Sequence, residues 1–191
     1  MVTSAERGRE VRQRLLRAAG ELIAERGWTA VTTRLLAERA GVAPGLVHYH
    51  FPSVQALLVE SAAGSARSLG ASLDAALAGA RSADEALRLL LGSLDAHDGA
   101  DPTSVLLLEA YLAAARDEPL RDALGAVISD VRSRLSGVLA EHAVPDPDAT
   151  AAVLVAALDG VLLHRALAPE PGGAATVLRR LLSVEGTEPP R

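Results

Sequence analysis

Residues 32–58 read TTRLLAERAGVAPGLVHYHFPSVQALL. Thr32 or Thr33 offers a hydroxyl to cap a helix that runs to about Ala40, with Leu35, Leu36 and Ala40 facing inward. Gly41 ends it, because a chain that reverses at a helix end favours the residue that enters the left-handed region without steric cost. Val42 points into the turn. Pro44 suits the first turn of a short second helix ending near Tyr49, where its missing N–H would have had no partner. Phe51 anchors the exit, and Ser53 caps a third helix. A helix, a tight glycine turn and a very short helix make a helix-turn-helix. That geometry lays the short helix in a DNA major groove while its neighbour crosses the backbone.

Upstream, the spacing of Val11, Leu15, Ala18, Ala19, Leu22 and Ile23 predicts a helix over 9–26 with one apolar stripe. Gly27 is its stop, Trp28, Ala30 and Val31 pack as core, and residues 1–8 are expected as a loose arm. Downstream, the helix begun at Ser53 continues through Leu69, Leu73 and Leu77 towards Ala80. It contains Gly64 and Gly70, each costing ~1 kcal/mol relative to alanine, so these are weak points or places where another helix comes close. Further helices are expected over 84–97, 103–116, 119–142, 148–168 and 173–184. Turn signals such as Glu118-Pro119 and Pro145-Asp146-Pro147 separate them. Residues 185–191 should fray. There is no internal repeat. The division expected is a head over 1–52 and a larger helical body over 53–191, sharing the long fourth helix.

The chain has 191 residues and is 49% apolar, enough for a substantial core. Its aromatics are Trp28, Tyr49, Phe51 and Tyr111, so alanine, leucine and valine fill the interior and an all-α fold is expected. There is no cysteine, which excludes disulfides, thiolate metal sites and a cysteine nucleophile. All 19 basic residues are arginine, which fits a GC-rich genome better than selection for guanidinium chemistry. No Ser/His/Asp arrangement, H-E-x-x-H, phosphate loop or paired-carboxylate motif is present, so no catalytic residue, metal or cofactor is assigned. Asp95, His97 and Asp98 cluster at a predicted helix end, where they are solvated. His48 and His50, two apart on a short helix, do not share a face and have no third ligand near in sequence. Residues 1–20 lack a signal-peptide core, and no run approaches ~20 uninterrupted apolar residues. The expectation is a cytoplasmic protein without a membrane partner.

The net charge of −5 is unevenly spread. Residues 1–55 carry eight arginines against five glutamates, and the acidic excess lies in the rest of the chain. A basic head on an acidic body is what a phosphate-facing module needs.

The residues Ile23-Ala24-Glu25-Arg26-Gly27-Trp28, Thr32-Thr33, Leu36-Ala37-Glu38-Arg39-Ala40-Gly41-Val42, Gly45, His50-Phe51, Ser53 and Ala56-Leu57-Leu58 resemble the TetR family of bacterial transcriptional regulators. The resemblance covers about residues 9–60 and beyond them is one of outline. It implies a DNA-binding head, a diverse helical body that binds a small ligand, and a homodimer. It implies that Thr33 and Arg34 meet phosphate or a base edge, and that Ala43, Pro44, Leu46, His48 and Tyr49 face the groove. The family often has Ser or Lys where this chain has Ala43 and Pro44, usually Tyr where it has His48, and commonly Lys where it has Val54. These departures remove hydrogen-bond donors. Readout then leans on Arg34 and on apolar contacts from Pro44 or Leu46 to thymine methyls. Phosphate anchoring falls to Thr33, Tyr49, His50, the amide end of the fourth helix, and an arginine such as Arg7, Arg9 or Arg12.

In the body, His97, Glu109, Tyr111 and His164 are polar or aromatic residues on apolar helices and are the candidate ligand contacts. Tyr111 is the body's single aromatic, so an aliphatic or small metabolite-like ligand is favoured over a flat drug. Val153, Leu154, Ala157, Leu158, Val161, Leu162 and Arg165 on one helix, with Val177, Leu178 and Leu181 on the next, form the candidate dimer interface. Asp159-Gly160-Val161-Leu162-Leu163 also resembles the family's dimer region. The function expected is a homodimeric repressor that reads a palindromic operator in double-stranded DNA and is released by a small molecule. The alternative is an activator or nucleoid-type protein without a ligand. An enzyme is not expected.

Overall fold

The computed structural model describes residues 3–93, 97, 99–165, 167 and 177–178. Among them are eight α-helices, one 3-10 turn and no strand. The helices are α1 (Ser4–Arg26), α2 (Thr33–Ala40), α3 (Pro44–His50), α4 (Val54–Leu77), α5 (Ala83–Ser93), α6 (Pro102–Ala114), α7 (Glu118–Glu141) and α8 (Pro147–Arg165), with the 3-10 turn at Trp28–Ala30. The all-α expectation holds, and most boundaries lie within a few residues of those read from the turn signals. The expected helix over 173–184 lies almost entirely outside the described residues.

The loose arm expected over 1–8 is corrected by a helix that starts at Ser4. Thr3 accepts from the Glu6 N–H at 3.2 Å, and Glu6 accepts from the Thr3 N–H at 2.6 Å. This reciprocal capping box, readable in Thr3-Ser4-Ala5-Glu6, satisfies two otherwise orphaned amides and starts α1 early. Around the motif the expected caps form. Thr32 accepts from Leu35, Ser53 accepts from Ala56, and Gly41 sits at φ +63° with its N–H returned to α2.

The chain divides into two compact units. The first comprises Met1–Leu69 and Asp101–Val127, the second Gly70–Ala100 and Ile128–Arg191. In the first, Leu15, Leu22, Ile23, Leu36, Val47, Phe51 and Leu57 share one core with Leu106, Ala110, Leu120 and Leu124. The helix-turn-helix is therefore closed by α6 and the start of α7. In the second, Leu73, Leu77, Leu87, Leu90, Leu135, Leu139 and Leu154 form a separate core. Gly70 is where two helices come close, because a Cβ there would lie 3.0 Å from Val131. Gly64 has no such neighbour.

Arg39 of α2 reaches across to α1, donating to Glu21 at 3.0 Å and to both oxygens of Glu25 at 2.8 and 2.6 Å. The hydrogen bond from Arg39 holds the Glu25 carboxyl below the ordinary carboxylate range. A lowered carboxyl stabilises the fold above its unfolded-state range and loses that contribution as pH falls through its folded value. The melting-temperature difference between wild type and Glu25→Gln should be visible at neutral pH and close by about pH 3. A difference that persists in acid would show that the pair contributes by packing rather than charge.

Candidate nucleic-acid interface

Helix α3 has seven residues, and Val47 is its one buried side chain. Ala43, Pro44, Leu46, His48 and Tyr49 are exposed, and His50 is half-buried. Tyr49 is 80% exposed, an aromatic ring left in water on a helix otherwise held by its neighbours. Thr33, at the start of α2, places its hydroxyl 3.5 Å from His48 Nε2, so two of the expected contact residues meet across the turn. Arg34 beside it is exposed. The Tyr49 and His50 rings meet edge to face at 5.0 Å.

The first turns of α1 complete this surface. A Cβ on Gly8 would lie 3.9 Å from His50 Cε1, and Arg7 and Arg9 on either side of it are exposed. Arg12 is employed differently. It pairs with Glu60 of α4 at 2.5 Å, and its guanidinium lies 4.8 Å over the centre of the Phe51 ring. It fastens α1 to α4 and to the exit of α3.

The surface thus combines an exposed apolar edge with guanidinium, hydroxyl and imidazole donors around it. Such an edge suits thymine methyls, and such donors suit phosphate oxygens and purine edges. Among the described residues no group of three or more His, Asp or Glu could hold a metal ion.

The four candidate ligand contacts do not come together in one unit. Glu109 and Tyr111 belong to the first, His97 and His164 to the second. Glu109 accepts the Trp28 N–H at 3.0 Å, satisfying a backbone donor at the end of α1 that sequence reasoning had no means of locating. Tyr111 and His164 are exposed, and His97, half-buried, accepts through its carbonyl from Arg165.

Helix α8 is long and apolar enough to cross a membrane by length and composition alone. Its faces differ, however. Leu154 and Leu158 of the expected interface lie in the core of the second unit, with Val161, Leu162 and Leu178 packed partly against it. Ala157 and Arg165 are half-buried, and Leu181 lies outside the described residues. Val153 is 63% exposed and begins an outward stripe that continues through Ala156 and half-buried Gly160 to Leu163; Leu167, past the end of the helix, is exposed too. Val177 is exposed as well. The spacing of this stripe, alternately three and four, is that of a helix–helix seam. Val153, Gly160 and Leu163 were named from the sequence, but this face was not separated there from the buried one because α8 is apolar on both.

Comparison with known proteins gives two family matches. Residues 15–60 match the bacterial regulatory proteins of the tetR family, and residues 81–184 match the tetracyclin repressor-like C-terminal domain. The chain is 33% identical to the HTH-type transcriptional regulator BetI of Agrobacterium fabrum over 86% of its length and 81% of that protein. Its fold resembles the crystal structure of the candidate transcriptional regulator SCO7518 of Streptomyces coelicolor A3(2). The TM-score is 0.78 at 32% identity, covering 91% of this chain and 99% of that one. It also resembles the multidrug binding protein EbrR complexed with imidazole, with a TM-score of 0.67 at 33% identity over 92% and 97% of the two chains.

Proposed function

The chain belongs to the TetR family of bacterial transcriptional regulators, and from that premise we propose a homodimeric repressor that reads a palindromic operator and is released by a small molecule. The exposed face of α3 carries this reading. A seven-residue helix with one buried residue and a tyrosine 80% exposed is organised to be covered by something else. In the dimer two such helices enter successive major grooves about 34–36 Å apart. Thr33, Arg34, Tyr49, His50, Arg7 and Arg9 anchor and orient each reader, and Ala43, Pro44, Leu46 and His48 face the bases. In functional terms residues 1–52 are the reader, and 53–191 hold the sensor and the dimer contact. The protein acts where its DNA is, in the cytoplasm, as a regulator and not an enzyme.

The outward stripe of α8 supports the dimer, because a lone protomer would leave Val153, Leu163 and Leu167 in water. The relative named as a multidrug binding protein supports an effector. With four aromatics in the chain, stacking on a flat drug is weak, and an aliphatic or small metabolite-like effector is favoured. His97 and His164 of the second unit are the polar contacts proposed for the effector. Release requires the effector to bind the two states unequally. Helix α4 runs unbroken from the cap beside α3 into the second unit, so its movement would alter the spacing of the readers.

The test is selection of bound duplexes from a random DNA pool by the full chain. A palindrome with half-sites about one helical turn apart supports the reading. Binding without a consensus, lost steadily as salt rises, would favour a nucleoid-type protein instead. On the selected operator, Arg34→Ala should cost about 1–3 kcal/mol and relax preference at one position of each half-site. A titration against operator variants reads both effects, and unchanged affinity and preference would remove Arg34 from the contact set.

A further inference from the structure

The first compact unit carries an open cleft of about 610 Å³ between α1, α4 and the start of α6, lined by none of the residues assigned above to DNA except Arg12. The volume suits a small organic molecule. Its carboxylates are already neutralised. Glu60 is paired with Arg12, and Glu21 is paired with Arg39. Arg17 and Arg67, on the α1 and α4 sides, also line the cleft, and neither forms an ion pair among the described residues. The cleft is therefore lined by two exposed guanidiniums without an ion-pair partner among the described residues, together with Ser65 of α4 and Thr103 of α6. Leu16, Pro102 and Leu106 give the lining an apolar part as well, which suits the carbon skeleton of a guest. A ligand with two or more anionic oxygens gains charge-assisted hydrogen bonds from both arginines.

We propose that this cleft binds a small polyanion bearing carboxylate or phosphate groups, held by Arg17 and Arg67. Arg12 belongs to the same lining, and its guanidinium spans Glu60 and the Phe51 ring at the exit of α3. An anion that draws Arg12 from Glu60 disturbs the support of the reading helix. Occupancy thus lowers operator affinity, a coupling that rests on the repressor reading above.

The test uses the full chain with citrate and pyrophosphate as separate probes, at ionic strength matched with chloride. Isothermal titration should show one saturable site per protomer for at least one probe. Arg17→Gln with Arg67→Gln should weaken it at least about 10-fold. Ser65→Phe, which fills the cleft without removing charge, should do the same. The probe that binds identifies carboxylate or phosphate as the recognised group. Absence of binding by both probes, or equal binding by the double variant, overturns the site. So does a double variant that binds no anion differently but loses DNA affinity, which would make these arginines phosphate contacts. Because the titration contains no DNA, it stands whether or not the repressor reading does. Anion binding that leaves operator affinity unchanged overturns the coupling alone.

Discussion

A Gly160→Arg variant is expected to run as a monomer and to lose at least about 100-fold in operator affinity, because linking two readers multiplies the binding of each. Gly160 is at the centre of the outward stripe of α8, and a Cβ added there meets nothing within 4 Å among the described residues. The first atom of the new side chain therefore meets no described neighbour. It also removes a helical glycine, which favours the helix by up to about 1 kcal/mol. A folded protomer with unchanged or higher melting temperature is expected. If the proposed dimer packs through this stripe, the damage falls on the partner helix, because the small residues leave no room for a long charged arm. Sedimentation of the variant and its titration against the operator check both halves of the expectation. A dimer that survives this substitution has its contact on another face.

The second large effect is expected at Val47. Helix α3 is too short to hold its own conformation, since isolated helices below about 12 residues are marginal in water. It is fixed by its one fully buried side chain and by what precedes and follows it. Val47→Asp asks for an unpaired carboxylate in a core of leucine, alanine and phenylalanine, a cost of several kcal/mol. Detaching α3 is cheaper than accepting that burial. Operator binding should fall to the non-specific level, about 1,000-fold or more. The second unit has its own core and should keep its helices. Val47→Ala should lose about 1–3 kcal/mol and retain measurable specific binding. Circular dichroism with operator titration separates the two variants. Specific binding by Val47→Asp would mean that α3 is ordered by the DNA itself and not by this anchor.

The reading helices were legible in the sequence because local chemistry fixes each boundary. Thr32 and Ser53 supply hydroxyl caps, Gly41 the left-handed stop, and Pro44 the first turn. The early start of α1 was equally local, written in Thr3 and Glu6. What lay out of reach depends on residues far apart in the chain. Nothing around Arg12 announces Glu60, and nothing around Glu109 announces the amide of Trp28. The two faces of α8 are a different case. Periodicity distinguishes an apolar face from a polar one, but α8 offers apolar residues to both its own core and the outside. Only packing separates Leu154 and Leu158 from Val153 and Leu163.

The core shared by Leu22, Ile23 and Leu36 with Leu106, Ala110 and Leu120 bears on how such proteins can be recombined. A reader excised at residue 52 leaves behind the wall supplied by α6 and α7, and exposes leucines that no new neighbour is shaped to cover. Grafting it onto a foreign sensor transplants an unfinished interior. The workable exchange moves the part of α4 up to Leu69, α6 and the beginning of α7 along with the first three helices. The helix-turn-helix and the walls that complete its core are then inherited together, as one block interleaved in the chain.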